Sequence, residues 1–150
     1  MKIGIFSGYF NPLHSGHLDA LEGAKAACDH LIVIVNNDRQ VAIKGSKPFM
    51  DEDHRVRIVR ALKVVDEAFV SIDSDGSVAN TICSIPKLVR ARTPGFFSFK
   101  KKDEFSFFNS GDREPKNYNL KEMTVCEGLG IHQVFIPMKK THSSSGLKAK

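Results

Sequence analysis

The ten residues from position 8 to position 17 constrain this chain more than any other segment. They read Gly-Tyr-Phe-Asn-Pro-Leu-His-Ser-Gly-His, and they lie between an apolar run at residues 3–6 and a helical pattern that continues to Cys28. A strand, a Gly- and Pro-containing turn and a helix start are therefore predicted in quick succession. His14 and His17 fall where the turn becomes the helix. Since a helix N-terminus presents unpaired N–H groups and partial positive charge, we expect phosphate to bind here, with the imidazoles as additional donors.

Two other interpretations of the histidine pair are open at this point. The rings could be packed or surface histidines with no ligand. They could also form part of a metal site, but no third ligand stands out nearby, so no protein-bound metal is predicted.

Composition sets the broad class of the protein. The chain has 150 residues, 41% of them hydrophobic, which fits a single domain over residues 1–150. No apolar run approaches the ~20 residues of a membrane span, and a strand starting at Lys2 leaves no room for a signal peptide. Three distant cysteines, Cys28, Cys83 and Cys126, suggest core thiols in a cytoplasmic protein. The formal charge of +5 suits small anionic ligands, and neither a membrane nor a nucleic-acid partner is expected.

Apolar runs alternate with helical periodicity, which predicts an α/β fold with a doubly wound, Rossmann-like parallel sheet. The predicted strands are 2–7, 31–35, 67–72, 105–108 and 133–136. The predicted helices are about 15–28, 51–62, 77–84 and 120–129, followed by a brief terminal helix after Ser143. Ligands are expected at the carboxyl edge of such a sheet.

The His-x-Gly-His string in its strand and Phe-Asn-Pro context resembles the signature of the nucleotidyltransferase superfamily typified by glycerol-3-phosphate cytidylyltransferase and heptose-1-phosphate adenylyltransferase. The resemblance implies five strands in the order 3-2-1-4-5 with helices on both faces. It also implies catalytic roles for His14 and His17 against a triphosphate. The turn residues Ser7, Gly8, Tyr9 and Phe10 would then approach the nucleotide.

Two basic residues are assigned through the same resemblance. Lys44, in Lys-Gly-Ser-Lys-Pro, resembles a phosphate-facing lysine of the heptose-phosphate enzymes and is expected to serve both catalysis and the acceptor phosphate. Arg55, in Asp-His-Arg, resembles an arginine that holds the acceptor phosphate in the glycerol-phosphate enzymes, a task that suits a guanidinium fork. Each could instead be an ordinary surface charge.

Two later motifs complete the expected nucleotide site. Gly111, Asp112 and Arg113 resemble the family's turn beside the base and ribose. Ser143, Ser144 and Ser145, followed by Lys148, resemble the family's C-terminal Ser/Thr signature, whose hydroxyl and N–H groups bind phosphates.

One segment has no counterpart in the family pattern. Residues 91–102 are interpreted as an insertion containing Phe96, Phe97 and Phe99. Because exposed aromatic side chains mark interfaces or lids, a homodimer contact is predicted, with packing onto the chain's own core as the alternative.

The function predicted from these features is nucleotidyl transfer from CTP or ATP to a phosphorylated small molecule, a sugar phosphate or a polyol phosphate such as glycerol 3-phosphate, with release of pyrophosphate. Mg²⁺ is expected to accompany the triphosphate as cofactor. A catalytically inactive nucleotide-binding module and, less favoured, a nucleic-acid-binding protein are the alternatives.

Overall fold

The computed structural model describes residues 1–92, 103–110 and 119–136. Five parallel strands form one sheet in the order β3-β2-β1-β4-β5, which confirms the expected fold and strand order. The strands are β1 Lys2–Gly8, β2 His30–Val35, β3 Glu67–Val70, β4 Glu104–Ser110 and β5 His132–Ile136. The helices are α1 Ser15–Ala26, α2 Asp38–Ile43, α3 Glu52–Arg60, α4 Ala79–Arg92 and α5 Leu120–Leu129.

Alternation along the central strand divides the core into two layers. Ile3 and Ile5 of β1 pack with Ile82 of α4 and Cys126 of α5 on one face of the sheet. Phe6 belongs to the opposite cluster, which also contains apolar residues of α1 and α3, Leu21 and Val56 among them. Helices therefore cover both faces, and the strand ends between them are left for ligands.

Two elements differ from the sequence-based prediction. Residues 38–43, expected to be loop, form the short helix α2, which Asn37 caps by accepting a hydrogen bond from the Gln40 N–H group. The helix predicted at about 77–84 is observed as α4, which continues to Arg92 although it contains Pro86, a residue that usually ends a helix. Residues 91 and 92 of the predicted insertion therefore belong to α4, and the rest of that segment lies outside the described residues.

The cysteine prediction needs one correction. Cys126 is buried and Cys28 is half-buried, but Cys83 is exposed on α4. All three thiols are free.

Several predicted features lie outside the described residues. These are the turn Gly111, Asp112 and Arg113, the motif Ser143, Ser144 and Ser145 with its terminal helix, and the Phe-rich segment with its homodimer contact. In the part of the chain that the structure describes, no helix has both the length and the apolar character to cross a membrane.

Candidate active site

The two signature histidines form a capping box at the N-terminus of α1. His14 is the N-cap of α1, and its Nδ1 atom accepts a hydrogen bond from the Gly16 N–H group at 3.1 Å. The N–H group of His14 in turn donates to Nδ1 of His17 at 3.2 Å. Because both Nδ1 atoms accept, the neutral rings must carry their proton on Nε2. The first turn of the helix is thus closed by the Nδ1 atoms of two side chains.

The two imidazoles are stacked on each other. Their ring centroids are 3.8 Å apart, and His17 lines a cavity at the carboxyl edge of the sheet. Burial, followed by the influence of His14 and Lys44, lowers the pKa of His17 from 6.5 to about 4. His17 is therefore neutral at physiological pH, so its ring can donate an N–H group but carries no positive charge.

The turn before the histidines is held in an unusual backbone shape by its own packing. Phe10 has a left-handed φ of 48° and is 1% exposed, with its ring edge-on to His17 at a centroid distance of 5.0 Å. A Cβ atom on Gly8 would lie 2.9 Å from that ring. Glycine is therefore required at position 8 to seat Phe10. Phe10 is not among the residues that line the cavities described next, and its ring packs beneath the turn instead. The expected approach of the turn's backbone to a nucleotide remains a prediction.

Two adjoining cavities open above this turn. The first has a volume of about 170 Å³, and His17, Asn11 and Ser46 are among the residues that line it. The second, of about 370 Å³, extends to Asn36 and Asn109. Both are lined by Ser7, Gly8, Tyr9, Lys44 and Ser110. Among the described residues that line them, none is acidic, so the cleft suits an anionic ligand.

Lys44 is placed in the cleft by helix α2, which the sequence did not reveal. It is the C-cap of that helix, and its Nζ atom lies 4.4 Å from the centroid of the Tyr9 ring. This cation–π contact brings the ammonium group over the signature turn. Lys44 and His17 therefore line the same cavity.

Arg55 occupies a different place from the one expected. Its guanidinium group is buried, and it donates hydrogen bonds to the carbonyl oxygens of Tyr9 and Asn36 at 2.7 Å each. It also donates to the carbonyl of Met50 at 3.0 Å and to Asp38 Oδ1 at 2.6 Å. Since four donors are used inside the protein and the residue lines neither cavity, Arg55 organises the walls of the cleft rather than facing an acceptor phosphate.

Sequence reasoning did not select five polar residues that line the cleft, which are Asn11, Asn36, Ser46, Asn109 and Ser110. Asn36 directly follows β2, and Asn109 and Ser110 end β4. Their signal was their position, because side chains at the carboxyl ends of adjacent parallel strands meet at one edge. Asn109 is buried, and in the described structure its Oδ1 atom has no hydrogen-bond partner.

No cluster of three or more His, Cys, Asp or Glu side chains that could hold a metal ion occurs within residues 1–92, 103–110 and 119–136. The carboxylate of Asp38, at the start of α2, pairs with Arg55. The cleft instead offers Lys44 and N–H donors, a set that fits the oxygens of a metal-loaded triphosphate better than a bare cation.

Comparison with known proteins agrees with this geometry. The family model described as cytidylyltransferase-like matches residues 5–150. The bifunctional protein HldE of Nitrobacter hamburgensis is 44% identical over 68 residues, which are 44% of this chain and 14% of that protein. The FAD synthase of Ferroglobus placidus is 44% identical over 75 residues, which are 50% of this chain and 49% of that protein. The chain thus spans about half or less of these two relatives.

Solved structures share the fold. A lipopolysaccharide core biosynthesis protein from Thermoplasma volcanium has a TM-score of 0.61 at 24% identity, covering 95% of this chain and 99% of that one. A bifunctional NMN adenylyltransferase/ADP ribose pyrophosphatase from Francisella tularensis, complexed with AMP and a manganese ion, has a TM-score of 0.62 at 12% identity, covering 99% and 40%. Because the family model matches nearly the whole sequence, the chain belongs to the cytidylyltransferase-like family of nucleotidyltransferases.

Proposed function

We propose that the protein transfers a nucleoside monophosphate from CTP or ATP to a phosphorylated small molecule, a sugar phosphate or a polyol phosphate such as glycerol 3-phosphate. An oxygen of the acceptor phosphate attacks the α-phosphorus, the bond from that phosphorus to the bridging oxygen breaks, and pyrophosphate leaves. The observation that carries the proposal is the neutral imidazole of His17 beside Lys44 in one anion-compatible cavity.

Phosphoryl transfer depends mainly on positioning and on stabilising charge. The Nε2–H donors of His14 and His17 would follow the charge that develops on the transferring phosphate, as preorganised donors do. Lys44 would neutralise phosphate oxygens of the nucleotide or the acceptor. Ser7, Gly8 and Tyr9 would border the nucleotide. A divalent metal ion, Mg²⁺ in this proposal, would enter with the triphosphate and supply additional charge neutralisation there.

The nature of the acceptor is suggested by the second cavity. Asn36, Asn109 and Ser110 offer neutral donors and acceptors, and neutral amides and hydroxyls pair well with hydroxyl groups. Such a lining favours a polyhydroxylated acceptor over a flat aromatic one. The roles expected for Gly111 to Arg113 and for Ser143 to Ser145 remain predictions for the same nucleotide.

The direct test is pyrophosphate release by the full chain with each common nucleoside triphosphate, Mg²⁺, and a panel of sugar and polyol phosphates. One nucleotide–acceptor pair should give stoichiometric pyrophosphate and a nucleotidylated product detected by mass spectrometry. The variant His17→Ala should lower turnover by about 10²-fold or more, since a lost donor to a developing charge has that effect. His132→Ala is the matched control, because His132 is an exposed residue of β5 outside the cleft.

Two outcomes would contradict the proposal. Binding of a triphosphate without pyrophosphate release for any acceptor would favour an inactive nucleotide-binding module. Full turnover by His17→Ala would remove His17 from the chemistry.

A further inference from the structure

Asn11 joins the signature turn to the loop that follows Lys44. Its side chain is 3% exposed. The Nδ2 atom donates to the Lys47 carbonyl at 3.0 Å, and the Oδ1 atom accepts from the Phe49 N–H group at 2.7 Å. Both ends of one amide are thus engaged with the backbone of a segment more than thirty positions away. An amide is needed for this, because it combines a donor and an acceptor on one short side chain.

The clamped segment leads directly to Lys44. Only Gly45 and Ser46 separate Lys44 from Lys47. The N–H group of Ser46 donates to the Val41 carbonyl, so this short stretch is itself folded back on α2. At its other end, Arg55 holds the Met50 carbonyl. A shift of the backbone at Lys47 would therefore be passed to Lys44.

The same turn also touches the lysine side chain. Tyr9, two residues before Asn11, lies under Lys44 Nζ. Asn11 and Lys44 line the same cavity as His17. The signature turn thus contacts both the backbone that follows Lys44 and the ammonium group of Lys44. Through these two contacts it determines where Lys44 lies.

We propose that Asn11 is a positioning residue, which acts on the triphosphate through Lys44 by clamping the Lys47–Phe49 backbone to the signature turn. The kinetic consequence of this inference rests on the proposed function, whereas the clamp itself does not. Aspartate at position 11 could still accept from Phe49, but its carboxylate would face the Lys47 carbonyl and could not donate to it. Alanine would remove both bonds.

The kinetic test compares Asn11→Ala and Asn11→Asp with the wild type, alone and combined with Lys44→Ala. If Asn11 acts through Lys44, Asn11→Ala lowers kcat/KM for the nucleotide about tenfold, the size expected for losing a buried hydrogen-bonded link. In the Lys44→Ala background the same change should then have less than about a twofold effect, because residues that act as a unit are not additive. Equal losses in both backgrounds would overturn the proposal.

A spectroscopic test does not require turnover. Lys44 contributes to lowering the pKa of His17. A displaced lysine should therefore move the NMR titration midpoint of His17 upward in Asn11→Ala, in the same direction as is expected for Lys44→Ala. The control is Asn119→Ala, which removes an N-cap asparagine of α5 and should leave the His17 midpoint unchanged. An unchanged midpoint in folded Asn11→Ala would refute the clamp.

Hydrogen exchange distinguishes the hydrogen bond that Asn11 Oδ1 accepts from the one that Asn11 Nδ2 donates. The Phe49 N–H group should lose protection in Asn11→Ala and keep it in Asn11→Asp, while amides of β2 stay protected in both. If Asn11→Ala fails to fold, Asn11→Asp carries the kinetic test. A wild type without turnover would contradict the proposed function, and the His17 midpoint and Phe49 exchange would still decide the clamp.

Discussion

At the scale of single residues, the site depends on hydrogen bonds that fix which atom of each imidazole carries a proton. Backbone N–H groups occupy Nδ1 of both His14 and His17, and burial keeps His17 uncharged. A neutral N–H donor at the α1 N-terminus adds to the positive electrostatic potential of the helix end. Because the ring is uncharged, no free energy is spent on burying a second positive charge beside Lys44. The sequence showed that the histidines were present, but it did not show their protonation.

The protonation state gives a prediction about pH. His17 should titrate with a midpoint near 4 in the free protein, measured by NMR of its ring protons, so the ring stays neutral as the pH falls from 8 to 5. Replacing Lys44 by alanine should raise this midpoint, because removing a nearby positive charge favours the protonated ring. A wild-type midpoint near 6.5 would contradict the burial described for this residue.

The linked effect on stability has a definite sign. The folded-state pKa of His17 is lower than its unfolded value, so the unfolded chain binds more protons between about pH 6.5 and 4. The contribution of His17 to stability is therefore complete above that window and is lost as the pH falls through it.

At the scale of elements, α2 and α3 build the wall of the cleft around buried polar side chains. Gln40 of α2 donates to the carbonyls of Asp75 and Ser77 and accepts from Asn36 and Asn37. Arg55 of α3 fixes the carbonyls at the ends of β1 and β2. Helix α2 has a weak sequence signal, since it is held by tertiary hydrogen bonds rather than by a long apolar stripe.

The structural role of Arg55 can be tested by substitution. Arg55→Met should lower the free energy of unfolding by about 3 kcal/mol in urea titration, because it leaves buried carbonyls unpaired and breaks a partly buried ion pair. Arg57→Met, at an exposed position of the same helix, should change stability little. Wild-type stability of Arg55→Met together with a raised KM for the acceptor alone would instead support the substrate contact first expected for Arg55.

At the scale of the whole molecule, the parallel sheet brings the ends of β1, β2 and β4 to one edge. Ser7, Asn36 and Asn109, far apart in sequence, line the same cleft for this reason. A nucleotide bound across this edge would contact several strands and helices of one cooperative unit. Its binding should therefore stabilise the fold as a whole.

Thermal denaturation with each nucleoside triphosphate and Mg²⁺ measures that stabilisation. At a ligand concentration of about 100 times Kd, the native state gains about 2.7 kcal/mol, which raises Tm by roughly 5 to 10 °C for a chain of this size. The nucleotide with the largest shift should be the substrate. Equal shifts from all four triphosphates and from inorganic triphosphate would show that the base is not recognised in this cleft.

The long apolar strands and the capped helices were predictable from local patterns. The run Leu31–Val35 marked β2, and Asp51 marked the start of α3. Helix α2 was missed because only six residues form it, and the end of α4 was misplaced because Pro86 falls within an otherwise helical pattern. Short elements and helix ends are decided by contacts that a local pattern does not contain.

The sequence by itself determined the fold, the family and the presence of His14, His17 and Lys44, because alternating apolar periods and a compact strand–turn–helix signature are written in neighbouring residues. Only the tertiary structure decided what these residues face. Burial keeps His17 uncharged, and helix α2 places Lys44 over Tyr9. The side chains of Arg55 and Phe10 are buried and line neither cavity. Burial and hydrogen-bond partners depend on residues that are distant along the chain, so local sequence does not specify them.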